Sequence, residues 1–269
     1  MFLVFKRIND RVLAHKHKRI DLRVIPELLD APPVTFLTIP KDMNILFTKL
    51  KELAGSFLTD GDLTFLNIIA EKLNSGITNL TQFEVKESWI SCFKEFAKKL
   101  SLDAVFPLLD LIRVLLNSIS FRQQLSNDPS LILLFIQRLD DDSAPRPALL
   151  VCLRLLCSLF VERILQASFM TENEFKIKES VFLPRELLIA VMVRTLLHDD
   201  SAVRRTAASL AWNVSGYVSS HRNIDESNQV ESGDNWTLEC ISSSITALEH
   251  ESDAEIIHRL LASFSIKLV

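Results

Sequence analysis

The sequence predicts an all-α fold, and three observations carry that expectation. The first is glycine, which occurs only 5 times in 269 residues, where average usage is roughly 7%. So few glycines leave little room for phosphate loops, hairpin turns or strained nucleophile elbows. The second is composition: 48% hydrophobic and 24% charged residues, too apolar for disorder and too charged for a membrane bundle. The third is periodicity, because apolar residues recur at helical spacing over most of the chain.

The elements follow in order. Residues 30–40 read DAPPVTFLTIP, and Pro32, Pro33 and Pro40 exclude a helix interior. A helix is expected from Asp42, with Ile45, Leu46, Lys49, Leu50 and Leu53 as its stripe and Gly55 as its stop. Thr59-Asp60-Gly61-Asp62 reads as a turn and cap before a helix carrying Leu63, Leu66, Ile69, Ala70 and Leu73. Thr81 to Leu100 places Trp89, Phe93, Phe96 and Leu100 on one helical face. Leu102–Asn117 and a shorter stretch near Pro129–Leu139 are strongly apolar helices. A loop, Asp140 to Pro147, leads into a long apolar helix from Ala148 to about Ala167. Residues 168–183 are more polar and read as an insertion or loop. Helices are then expected over Pro184–His198, Ala202–Val218, Trp236–Leu248 and Asp253–Val269, with a polar loop at 219–235.

Three of these segments, LLVCLRLLCSLF, VRRTAASLAWNVSGYV and EIIHRLLASFSIKLV, are apolar nearly all round. Such helices belong inside a stacked array. An armadillo-like helical solenoid with an irregular period of about 40–55 residues is therefore expected.

Chemistry is sparse. No phosphate-loop, dinucleotide, zinc-protease, hydrolase-elbow or EF-hand motif occurs, so no cofactor and no metal site are expected. His15 and His17 flank Lys16 in a basic stretch, a poor ligand arrangement. Net charge is −4 with a pI near 5.9, which excludes the basic excess of a duplex nucleic-acid binder. No apolar run approaches the roughly 20 residues that span a bilayer, so no membrane association is expected. Cys92, Cys152, Cys157 and Cys240 form no C-x-x-C pair and read as reduced core thiols of a cytoplasmic or nuclear protein. Each is expected inside a core helix. Arg113 and Arg259 stand out as arginines within apolar helices. A buried arginine needs a partner or a groove. Asp110 and Glu255, at helical spacing, supply an internal ion pair for each.

Five segments in order resemble the PUL domain, found at the C-terminus of the phospholipase-A-activating protein and its yeast ubiquitin-fusion-degradation counterparts. Val105-Phe106-Pro107-Leu108-Leu109-Asp110-Leu111-Ile112-Arg113 resembles the FPxLDxLRL signature. Ile45 to Leu53 is similar to the opening helix. Leu149 to Phe160 resembles LLALRxxxNxF, Ala207 to Ser215 resembles ALATLALNxSV, and Ile257 to Phe264 resembles xFRLLVALG. The resemblance covers about residues 40–269, and leaves 1–39 as an extension and linker. It departs from the pattern at Ser158, His258 and Ser265, and the family's closing helix finds no counterpart, so the domain is expected to lack its last helix.

The resemblance implies a non-enzymatic, monomeric peptide-binding adaptor of armadillo-like fold. Its basic groove would bind the acidic C-terminal tail of the hexameric AAA ATPase valosin-containing protein, in ubiquitin-dependent turnover. The implied peptide-binding residues are Arg113, Arg259, Asn213 and Arg154. Two other readings are open: an armadillo scaffold for a different acidic peptide, and the helical remainder of a desumoylating or deubiquitinating thiol peptidase.

Overall fold

A computed structural model describes residues 32–40, 42–54, 59–74, 80–141, 143–171, 173–177, 180–222 and 235–268. The basic N-terminal stretch with His15 and His17, most of the 219–235 loop, and Gly55, Gly76 and Gly233 lie outside the described residues. Two compact units are formed. One spans Thr35–Val191, and the other joins the described residues up to Val34 with those from Met192 onward.

The first unit begins with an extended segment and continues with α1 (Met43–Ala54), α2 (Asp60–Asn74), α3 (Glu87–Lys99), α4 (Phe106–Leu115), α5 (Ile119–Asn127), α6 (Ser130–Leu139), α7 (Arg146–Ser158) and α8 (Arg163–Phe169). The helices follow a three-helix register: α1 packs on α4, α3 on α6, α4 on α7 and α5 on α8. That periodicity is the repeat expected of an armadillo-like array. α4, α6 and α7 are buried nearly all round, as their apolar sequences predict.

Local signals place the helix starts. Thr59 and Asp62 form a reciprocal capping box: the Asp62 N–H donates to the Thr59 hydroxyl at 3.2 Å and the Thr59 N–H donates to the Asp62 carboxylate at 2.9 Å. Gly61 sits inside the first turn of α2 rather than before it. In α1 the buried face is Met43, Phe47, Leu50 and Ala54. Ile45 and Leu53 of the expected stripe are exposed, at 67% and 38%. The face built on the bulkier Phe47 and Met43 is the one that goes inside.

Three further differences from the sequence expectation have physical causes. α5 was not anticipated, because ISFRQQLSN is mostly polar. Two residues at i, i+4 spacing, Phe121 and Leu125, bury it, and the Ser118 hydroxyl caps it by accepting from the Phe121 N–H at 3.3 Å. The long helix expected from Ala148 stops at Ser158, passes through a single tight turn and restarts at Arg163. At the break, Glu162 is extended (φ −141°, ψ 137°) and accepts from Arg122 Nε at 2.6 Å. Residues within 168–183 form a short antiparallel hairpin, Phe175–Ile177 against Ser180–Phe182.

α9 (Pro184–Leu196) contains the unit boundary. The second unit then holds α10 (Ser201–Arg222), α11 (Asn235–His250) and α12 (Ala254–Leu268), with α12 packed on α10 and α11. Asp200 caps α10, accepting from the Ala202 and Val203 N–H groups at 2.9 and 3.2 Å. α10 runs to Arg222, so Gly216 lies in the helix interior.

Candidate functional site

In the first unit, α4 carries Arg113 and the turn that follows the helix carries Asn117. Arg113 is 7% exposed. Its Nε donates to Asp110 Oδ1 at 2.7 Å, so the ion pair expected from spacing is formed. Its Nη1 does something the spacing did not predict. It donates to the carbonyls of Phe36 and Thr38, the latter at 2.9 Å. Asn117 Nδ2 donates to the intervening Leu37 carbonyl at 3.0 Å. From α7, the Ser158 hydroxyl accepts from the Phe36 N–H at 2.9 Å, and the Arg154 guanidinium lies 5.7 Å from the Phe36 ring centroid. Arg113, Arg154, Asn117 and Ser158 therefore hold the extended segment around Phe36, mostly through its main chain. The prolines that bar a helix here leave those backbone groups unpaired, and side chains from two helices satisfy them.

In the second unit, Asn213 of α10 does the same to another residue. Its Oδ1 accepts from the Val34 N–H at 2.8 Å and its Nδ2 donates to the Val34 carbonyl at 2.9 Å. An amide side chain used at both ends mimics a neighbouring strand. Asn213 is 3% exposed.

The same unit concentrates charge where α10 meets the start of α12. Arg204 Nε donates to Glu251 Oε2 at 2.6 Å. Arg205 Nη2 donates to Asp253 Oδ2 at 2.5 Å, and its Nε lies 3.0 Å from Glu255 Oε2. Arg259 pairs with Glu255 one turn earlier, as its spacing predicts, and its Nη1 donates to the Ser209 hydroxyl and to the Arg205 carbonyl at 3.3 Å. Burial works to raise the Glu251 carboxyl. The Arg204 hydrogen bond and the Asp253 and Ser252 N–H groups outweigh it and hold the pKa below the ordinary carboxylate range.

The cysteines divide. Cys152, Cys157 and Cys240 are buried as expected, but Cys92 is only partly so. Burial, and then the Asp62 carboxylate, push the Cys92 thiol up. An activated nucleophile needs the opposite shift. Among the described residues no His, Cys, Asp and Glu side chains group as a metal site, and no helix is long and apolar enough to cross a membrane.

Sequence reasoning named Arg113, Arg154, Asn213 and Arg259. It missed Asn117, Ser158 as a contact of extended backbone, and Arg205. The available signals were Asn117 one turn beyond Arg113 and the Arg204-Arg205 pair opening an apolar helix. Helices in a three-helix register define a helical-repeat domain. The family model described as the PUL domain matches residues 32–266, and the chain belongs to that family of protein-interaction domains. No curated protein matches the chain.

Proposed function

We propose that this PUL domain is a peptide-binding adaptor, without catalytic activity of its own, for the acidic C-terminal tail of the AAA ATPase valosin-containing protein. It would serve ubiquitin-dependent turnover as a monomer in the cytoplasm and nucleus. Arg113, Arg154, Asn213 and Arg259 would carry the binding. The supporting observation is that three of these four contact the non-helical segment around Val34 and Phe36 of the chain itself. Arg113 and Arg154 do so at Phe36 in one unit, and Asn213 at Val34 in the other. The fourth, Arg259, grips a carboxylate, the chemical group in which such a tail is rich.

Fluorescence anisotropy of a labelled tail peptide tests the reading. Binding by the intact chain, competed by unlabelled tail but not by an unrelated glutamate-rich peptide, is expected. Equal competition by both would move the function to a scaffold for acidic peptides in general. Absence of binding would overturn the partner.

A further inference from the structure

Glu255 is held by two arginines from two helices. One carboxylate oxygen accepts from Arg259 Nη2 on its own helix, and the other lies 3.0 Å from Arg205 Nε on α10. Yet the Glu255 side chain is 48% exposed, while that of Arg259 is 20% exposed.

Both cations are fixed by bonds that do not involve Glu255. Arg259 Nη1 is anchored on the Ser209 hydroxyl and the Arg205 carbonyl. Arg205 Nη2 is anchored on Asp253. Removing the Glu255 carboxylate would therefore leave two guanidiniums in place, aimed at a position open to solvent. The fit of Glu255 to that position is also imperfect. Arg205 Nε is a buried donor that makes no hydrogen bond, although a carboxylate oxygen stands 3.0 Å away. A side chain tethered to the helix of Arg259 reaches that guanidinium well and meets the second one out of line. An untethered carboxylate could approach both in plane, which is how guanidinium groups bind carboxylates best.

The charges around the site cancel as well. Arg204, Arg205 and Arg259 face Glu251, Asp253 and Glu255. Glu251 is buried and committed to Arg204, and Asp253 caps α12 through the Glu255 and Ile256 N–H groups. Of the three carboxylates, Glu255 is the one that can leave without undoing a cap or a buried pair.

We propose that Arg205 and Arg259 form a carboxylate clamp, that Glu255 is its resident occupant, and that a carboxylate of an acidic peptide displaces Glu255 on binding. The inference rests on the acidic-peptide reading above. It adds Arg205 as a second cation and makes Glu255 an internal competitor. A half-exposed ion pair is weakly held, so exchange costs little.

The test uses the full chain, at low ionic strength, with the tail peptide of valosin-containing protein and a glutamate-rich peptide as probes. Glu255→Gln and Glu255→Ala are expected to tighten peptide binding about twofold to fivefold, the scale of a partly exposed charge pair. Arg205→Gln is expected to weaken it about tenfold and to abolish the gain from Glu255→Gln, since the two act at one site. If the tail binds and Arg259→Gln weakens it, but Glu255 and Arg205 substitutions leave affinity unchanged, the clamp is overturned and the peptide reading stands. If only the glutamate-rich peptide binds, and Glu255→Gln tightens it, the clamp stands and the tail assignment fails. Binding of neither peptide to any variant overturns both.

Discussion

Replacing Glu251 with glutamine should destabilise the second unit and flatten its dependence on acid. The Glu251 side chain is 2% exposed, and Arg204 is bound to it through Nε at 2.6 Å and Nη2 at 3.4 Å. The Ser252 and Asp253 N–H groups add bonds at 2.8 and 2.9 Å. Breaking a buried pair from one side costs about 3–5 kcal/mol. Two features reduce that figure here. Arg204 keeps its bonds to the His198 and Asp199 carbonyls at 2.9 and 2.8 Å, and glutamine still offers an oxygen to the two N–H groups. The expected loss at neutral pH is about 2–3 kcal/mol, or roughly 4–12 °C in the unfolding midpoint. The sign with pH follows from the depressed carboxyl of the folded state. Its stabilisation is complete above the ordinary value of 4.5 and is lost as pH falls through the lower folded value. Wild type and variant should therefore converge as the pH is lowered. Urea unfolding of both proteins, followed by circular dichroism across that range, measures the difference. A difference below about 0.5 kcal/mol at neutral pH, or one that widens in acid, would refute the reasoning.

Two further substitutions probe the scaffold. Phe121→Ala removes the fully buried ring that holds α5 and stands edge-on to Phe93 at 6.4 Å. It should cost about 3–5 kcal/mol in chemical denaturation, and a loss under about 1 kcal/mol would mean that α5 is not anchored there. Gly216→Ala has the opposite sign. An added Cβ meets nothing within 4 Å in the interior of α10, so up to about 1 kcal/mol of stabilisation is expected, and destabilisation would contradict this helix.

The sequence made the helices legible wherever apolar residues were dense. The strongly apolar α4 and α6 lie within the stretches that the apolar residues mark, because burial on nearly every side leaves no ambiguity of face. Legibility failed where few residues carried the decision. In α1 the choice between faces turned on Phe47 and Met43 against Ile45 and Leu53, all apolar. α5 depends on two side chains, and the α7–α8 break on an Arg122–Glu162 pair forty residues apart in sequence. At the candidate site, spacing within one helix revealed Asp110 with Arg113 and Glu255 with Arg259. It could not reveal that Arg113 reaches the Phe36 and Thr38 carbonyls, nor that Arg205 meets Glu255 from another helix. Those contacts join residues far apart in the chain, and no local pattern encodes them.

Isothermal titration of the acidic tail of valosin-containing protein into the intact chain, beside Arg259→Ala and Arg113→Ala, tests the central claim most directly. Saturable binding is expected, weakened by about 1–3 kcal/mol in each variant, the scale of hydrogen bonds to a charged group. Arg259→Ala is the cleaner of the two, because Arg113 also anchors the segment around Phe36. Binding that is undiminished in both variants would contradict the assignment of these residues. No heat and no saturation with the intact chain would contradict the account itself.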